Sequence, residues 1–219
     1  ILASIAFHSR VTFDDVEIKG ISDITARDIK YAGEFGYVLK LLGVARNVND
    51  KIEVSVSPVM IPEQHPLAKV NDSFNAVFVH GDAVDDVMFY GRGAGEFPTA
   101  SAVMGDIIDV IRDMVNGCTG RISNTCYREL PVKKCRDIRS KFFLRMQVEN
   151  RPGVLASIAS VFGEHKVSIN KVVQKIITDG MAEVVIVTDA VKEYHMQDAQ
   201  EELLRMPIVK EISSVIREY

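Results

Sequence analysis

Hydrophobic and polar positions along this chain change period twice. From Lys51 to Ser57, Ile52, Val54 and Val56 alternate with Glu53, Ser55 and Ser57, the pattern of a strand with one buried face. Pro58 and Pro62 are expected to end it, because proline cannot donate to a strand ladder. Tyr37 to Ala45 also reads as a strand, and the runs 74–80 and 84–90 flank Gly81-Asp82 as a hairpin. Residues 1–9 read as the tail of a buried helix. Ile21 to Gly33 reads as another, with Ser22 and Asp23 as candidate caps. The first 90 residues therefore predict a mostly antiparallel sheet carrying a few helices.

From Ala100 the apolar positions fall at helical spacing. Ala100, Val103, Met104, Ile107, Ile108, Ile111, Met114 and Val115 make one broad stripe, with Thr99 as cap and Asn116-Gly117 as the stop. Periodicity is lost over 116–140, where "KKCRDIRSK" is a basic polar stretch read as a linker. Alternation then returns. In Phe142 to Val148, Leu144, Met146 and Val148 oppose Phe143, Arg145 and Gln147. A helix at 154–164, strands at 167–177 and 181–190, a helix at 193–206 and a strand at 208–216 complete the order βαββαβ, the ferredoxin-like plan. The fold class is thus α+β: a mostly antiparallel sheet-plus-helix domain followed by a ferredoxin-like domain.

Composition narrows the partners. The chain has 219 residues, 47% of them hydrophobic and 26% charged, with a formal net charge of −4. That balance gives no electrostatic reason to expect nucleic acid or an anionic membrane. No apolar run approaches the roughly 20 residues of a membrane span, and no signal peptide is visible, so a cytoplasmic protein is expected. Cys118, Cys126 and Cys135 lack metal spacing and read as reduced thiols, and the five histidines are scattered, so no metal site is expected.

The stretch "NRPGVL", Asn150 to Leu155, carries candidate chemistry. A strand ends, Pro152-Gly153 turns the chain, and a helix begins whose first N–H groups are unpaired donors suited to a carboxylate. Glycine allows close approach, and the Asn150 amide both donates and accepts. These are the parts of an amino-acid site, although a turn with a helix start and nothing bound uses the same residues. With "VSIN" (Val167 to Asn170) and the βαββαβ order, the loop resembles the ACT domain family over about 140–219. The resemblance implies side-by-side pairing and an amino-acid effector held by Asn150, Gly153, Val154, Leu155 and Asn170. Many members carry Asp where this chain has Asn150, which leaves the effector's identity open. Asn170 could equally be a polar residue at a strand start.

Gly91, Gly93 and Gly95 precede the helical stripe. A dinucleotide fingerprint needs G-x-G-x-x-G inside a βαβ unit, and none surrounds them, so on residues alone this is a packing loop. The surrounding motifs add more. "ILASIAF", Gly20 to Ala32, "GYVLKLLGVA", "HPLAKV" and "YGRGAGEFPTASAVMGDI" resemble homoserine dehydrogenase in order and spacing over about 1–117.

That resemblance implies a catalytic-domain part at 1–117, with the dimerisation sheet and a helix returning to a nucleotide domain, then a linker at 118–140 and an ACT domain at 141–219. It implies interconversion of homoserine and aspartate 4-semialdehyde with NAD(P), a homodimer or higher oligomer, and threonine as the expected effector. Gly93 and Gly95 are implied to lie against the cofactor. The chain opens inside a hydrophobic helix without methionine, so a fragment is expected. In the family the nucleotide domain, cation site and catalytic lysine would lie before Ile1. No catalytic residue is then assigned here, and the chain alone is expected to be inactive. Asp23, Asp28 and Lys40 could suggest an acid/base set but read as surface or capping groups. The alternative is a stand-alone amino-acid-binding or dimerisation module, or an ACT domain without a ligand.

Overall fold

The structure is a computed structural model that describes residues 1–118, 126–178 and 180–219, with the side chains of 176–178 left aside. Part of the expected linker, 119–125, lies outside the described residues. The first elements are α1 (Leu2–Phe7), β1 (Glu17–Ile18), α2 (Ala26–Glu34), β2 (Tyr37–Val48), β3 (Lys51–Pro62), β4 (Phe74–Gly81), β5 (Asp85–Arg92) and α3 (Glu96–Val115). After them come β6 (Arg139–Glu149), α4 (Val154–Glu164), β7 (Ile169–Thr178), β8 (Met181–Thr188), β9 (Val191–Lys192), α5 (Glu193–Arg205) and β10 (Val209–Glu218). Packing groups residues 1–62 with 126–219 as one compact unit and 63–125 as another.

In the larger unit, β10, β6, β8 and β7 form an antiparallel sheet in that order, the ferredoxin-like arrangement expected of the βαββαβ pattern. One face is covered by α4 and α5. Phe142, Leu144, Met146 and Val148 of β6 and Ala182, Val184 and Ile186 of β8 meet Ile158, Phe162, Met196 and Leu203 there. The other face is buried as well. Phe143, Val185, Val187 and Ile216 pack against Tyr31 and Ala32 of α2, with Phe35 and Leu39 at the margin. Alternation along β6 therefore separates two cores rather than a core from solvent.

The sheet does not stop at β10. The end of β10 pairs in parallel with β3, Arg217 opposite Val59 and Glu218 opposite Met60. Strand β2 runs antiparallel to β3 along its whole length, so β1 and β10 share the remaining edge of β3. This explains why β3 passes through Pro58 to Pro62 instead of ending at Ser57. Ile52, Val56 and Met60 turn their backbone groups to that shared edge, and strand alternation turns Pro58 there too. Pro58 falls between the register of β1 and that of β10, where a missing N–H leaves no acceptor unmet.

Three other boundaries differ from the sequence reading. Helix α2 begins at Ala26, and its cap is Thr25 rather than Ser22 or Asp23. The backbone N–H of Thr25 donates to Asp28 Oδ2 at 2.9 Å while the threonine oxygen accepts from the Asp28 N–H, a capping box. Helix α1 is short and mostly open, with Ala3 buried but Ile1, Leu2 and Ile5 exposed, because only its Ala3 side is covered by the residues present.

The third difference is in the smaller unit. Helix α3 starts at Glu96, so Thr99 lies inside its first turn and donates its N–H to Gly95 O at 3.1 Å. Pro98 is tolerated because the first turn needs no N–H from that position. The hairpin is as expected: β4 and β5 pair from Phe74–Arg92 to Gly81–Asp85, and Phe74 stacks on Tyr90 at 4.8 Å. Val103, Ile107, Ile111 and Met114 of α3 are exposed.

Candidate functional site

The end of β6, the following turn and the start of α4 enclose a cavity of about 250 Å³. Gly153, the residue before α4, has φ +90, a conformation that favours glycine. It delivers the first turn of α4 to the cavity wall, where Val154, Leu155 and Ala156 line it together with Arg151 and Pro152. Among the described residues no backbone acceptor meets the N–H groups of Leu155 and Ala156. Such free donors at a helix start suit a carboxylate. Val148 of β6, Val184 of β8 and the amide of Gln174 on β7 complete the wall. The cavity thus offers donors suited to a carboxylate at one end and aliphatic surface at the other.

Of the residues singled out from the sequence, the structure brings Gly153, Val154 and Leu155 together on this wall. Asn150 stands just behind it. Its N–H donates to Gly180 O at 2.7 Å, and its Oδ1 accepts from Gln174 Nε2 at 3.3 Å, which orients the amide that lines the cavity. Asn170 is not on the wall and donates instead to Asp189 Oδ1 at 3.1 Å. Gln174, Val148 and Val184 were not anticipated. The two valines look like any core position of an alternating strand, and Gln174 has no motif around it.

Strand alternation carries the same site to the opposite face of the sheet. Val184 lines the cavity, whereas Glu183 points towards α2 and enters a buried ionic cluster. Arg145 is its centre: Nε donates to Asp28 Oδ1 at 2.8 Å, Nη1 to Glu183 Oε2 at 2.9 Å and Nη2 to Thr25 Oγ1 at 3.1 Å. Tyr31 Oη donates to Glu183 Oε1 at 2.7 Å, and Ser214 Oγ donates to Asp28 Oδ1. Arg145, Asp28 and Glu183 are each at most 5% exposed, deep enough that an unpaired charge would be costly. Burial pushes both carboxyls up, but the donors around them win and hold Asp28 and Glu183 below their ordinary values. Burial and the bond to Glu183 push the Tyr31 phenol up to about 12. Asp28 is therefore a cap and an ion-pair partner, in keeping with its reading as a capping group.

The glycine loop belongs to the smaller unit. Gly91 pairs with Asn75, one step inside the Phe74–Arg92 end of the β4–β5 ladder, and a Cβ on Gly93 would overlap the Asn75 side chain. Gly95 has φ +124 and precedes α3. The Asn75 side chain is exposed and could swing aside to admit a Cβ at 93.

Comparison with known proteins gives both segments a family. The family profile described as homoserine dehydrogenase matches residues 1–108, and the ACT domain profile matches residues 142–205. Homoserine dehydrogenase of Bacillus subtilis is 42% identical over 219 residues, covering 99% of this chain and 51% of the relative. The Corynebacterium glutamicum enzyme is 44% identical, covering 99% of this chain and 49% of its own length. The crystal structure of a homoserine dehydrogenase from Thiobacillus denitrificans superposes with a TM-score of 0.91 at 34% identity, covering 100% of this chain and 51% of that one. The chain spans about half the length of the curated relatives it matches. Residues 1–108 of this chain belong to the homoserine dehydrogenase family, and residues 142–205 are an ACT domain.

Proposed function

We propose that this chain is the part of an NAD(P)-dependent homoserine dehydrogenase that carries the dimerisation sheet, one wall of the active site and a feedback-regulatory ACT domain. The observation that carries the reading is identity of 42% to the Bacillus subtilis enzyme over 219 aligned residues, 99% of this chain. In the intact enzyme the nicotinamide would supply or accept the hydride that interconverts homoserine and aspartate 4-semialdehyde. The role of this chain is to lay the backbone of Gly93 and Gly95 against that group and to hold subunits together as a homodimer or larger oligomer in the cytoplasm. The catalytic lysine and nucleotide domain of the family have no counterpart among its residues. The purified chain, supplied with homoserine and NADP⁺, is therefore expected to give no reduced nicotinamide. The longer protein that contains it is expected to turn over. Turnover by the chain alone, or none by the longer protein, would reject this assignment.

The ACT cavity is read as an effector site, with threonine as the expected ligand. Its carboxylate would accept from the Leu155 and Ala156 N–H groups and its side chain would face Val148 and Val184. Calorimetric titration with threonine, methionine, isoleucine, serine and lysine tests this. Asn150→Ala, by releasing Gln174, is expected to weaken the binding about tenfold, the worth of one hydrogen bond at the strong end. Heat with none of the five would instead favour an ACT domain that only joins subunits, and unchanged affinity in Asn150→Ala would move the site elsewhere.

A further inference from the structure

We propose that a second small-molecule site, for an α-amino acid zwitterion, lies where α5 meets β1, β3 and β10. A cavity of about 230 Å³ opens there, smaller than sites that hold drug-sized ligands. Its polar lining includes Glu17 and Lys19 at β1, Ser57 of β3, Glu193 and Gln197 of α5, and Arg217 of β10. Two carboxylates face two cations, so the lining is bipolar rather than a patch of one sign.

The groups are fixed but not saturated. Arg217 Nε donates to Glu193 Oε2 at 3.0 Å, while Nη2 meets Glu193 Oε2 at 2.9 Å, Cys135 Sγ at 3.0 Å and Glu17 Oε2. The Cys135 thiol also donates to Glu17 Oε2, at 2.6 Å. Both carboxylates thus spend Oε2 on this cluster, and among the described residues no donor meets Oε1 of either. Nη1 of Arg217 has no acceptor there, and Lys19 commits one proton, to Val215 O at 3.0 Å.

Ser57 supplies a separate observation. It is 4% exposed, lines the cavity, and its hydroxyl has no hydrogen-bond partner. Buried hydroxyls are seldom left unpaired, because losing water without a replacement bond is unfavourable.

A zwitterion meets each unspent group. Its ammonium carries three donors, enough for Oε1 of Glu17 and of Glu193. Its carboxylate can accept from Lys19, from Nη1 of Arg217 and from the Ser57 hydroxyl. A simple anion would leave the two free carboxylate oxygens unmet, and a simple cation would leave the three donors unmet. Burial raises the Glu193 pKa despite the pull of Arg217, and an ammonium beside it would offset that cost. Glu17, Lys19 and Ser57 come from the homoserine dehydrogenase segment and the other three from the C-terminal half, so a bound amino acid would bridge the two. The site shares no lining residue with the cavity at Asn150–Ala156 and stands independently of the effector reading.

Calorimetric titration of the chain with glycine, serine, threonine, aspartate and lysine tests the proposal in a background where Asn150→Ala and Gln174→Ala together disable the loop cavity. At least one of the five is expected to bind that background. Adding Lys19→Met, at an exposed position, should weaken that binding about tenfold. Adding Ser57→Ala should weaken it while raising the melting temperature of the unliganded protein. No binding in the background, or binding unmoved by Lys19→Met, would overturn the second site. Failure of the loop variants to alter any binding would bear only on the effector reading.

Discussion

Arg145→Met is expected to destabilise the larger unit by about 3–5 kcal/mol, because it strands Asp28 and Glu183 as buried charges without their shared partner. The pH dependence identifies the cause. Both carboxyls have folded pKa values below their unfolded ones. Their contribution is therefore present above the ordinary carboxylate range, about pH 4, and is lost as pH falls through the lowered folded values. In Arg145→Met the same carboxyls lose the group that held them down and become easier to protonate. The stability deficit measured by urea unfolding should therefore be largest near neutral pH and shrink on acidification towards pH 4. A deficit that stayed constant with pH would mean that lost packing, not stranded charge, is responsible.

Phe143→Ala is expected to cost about 3–5 kcal/mol, the usual range for removing a fully buried phenylalanine. Phe143 is the sheet residue that α2 and its flank pack around, with Phe35 edge-on at 6.3 Å, and it lies on the face opposite α4 and α5. The substitution should therefore loosen α2 while leaving the core around Phe162 intact. Hydrogen exchange would show faster opening at 26–34 than in α4. Equal acceleration in both helices would contradict the separation of the two cores. Because Phe143 and Arg145 hold the same helix, their costs should not simply add.

Much of the ACT half was legible from the residues. The turn at Pro152-Gly153, the helix behind it and the alternating strands are local patterns, and Gly153 adopts the positive φ that makes glycine informative. What could not be read was the use of the second face of β6. "FFLRMQV" alternates, and Phe143, Arg145 and Gln147 look like the outer set of a strand exposed on one side. The partner that buries the first two is Thr25–Glu34, over a hundred residues earlier, and no local period reports such a pairing. An arginine inside an apolar strand was nevertheless a hint, since arginine is rarely buried without a partner.

Capping was misassigned for a simpler reason: Ser22, Asp23 and Thr25 are all good caps, and only Thr25 has an acid three residues on to close the box. Pro58 was read as a terminator because its harmlessness depends on the gap between two other strands. Gln174 owes its place on the cavity wall to β7 lying beside β8, again a tertiary fact.

The parallel pairing of β10 with β3 makes the C-terminal strand a splint rather than an appendage. A protein cut before Val209 would keep β3 but leave its edge at Val59 and Met60 open, and unpaired edges invite association with other chains. Trimming the C-terminus would thus disturb the sheet of the first segment as well as that of the ACT domain. An ACT domain transplanted from another protein would need an ending that matches Val59 and Met60.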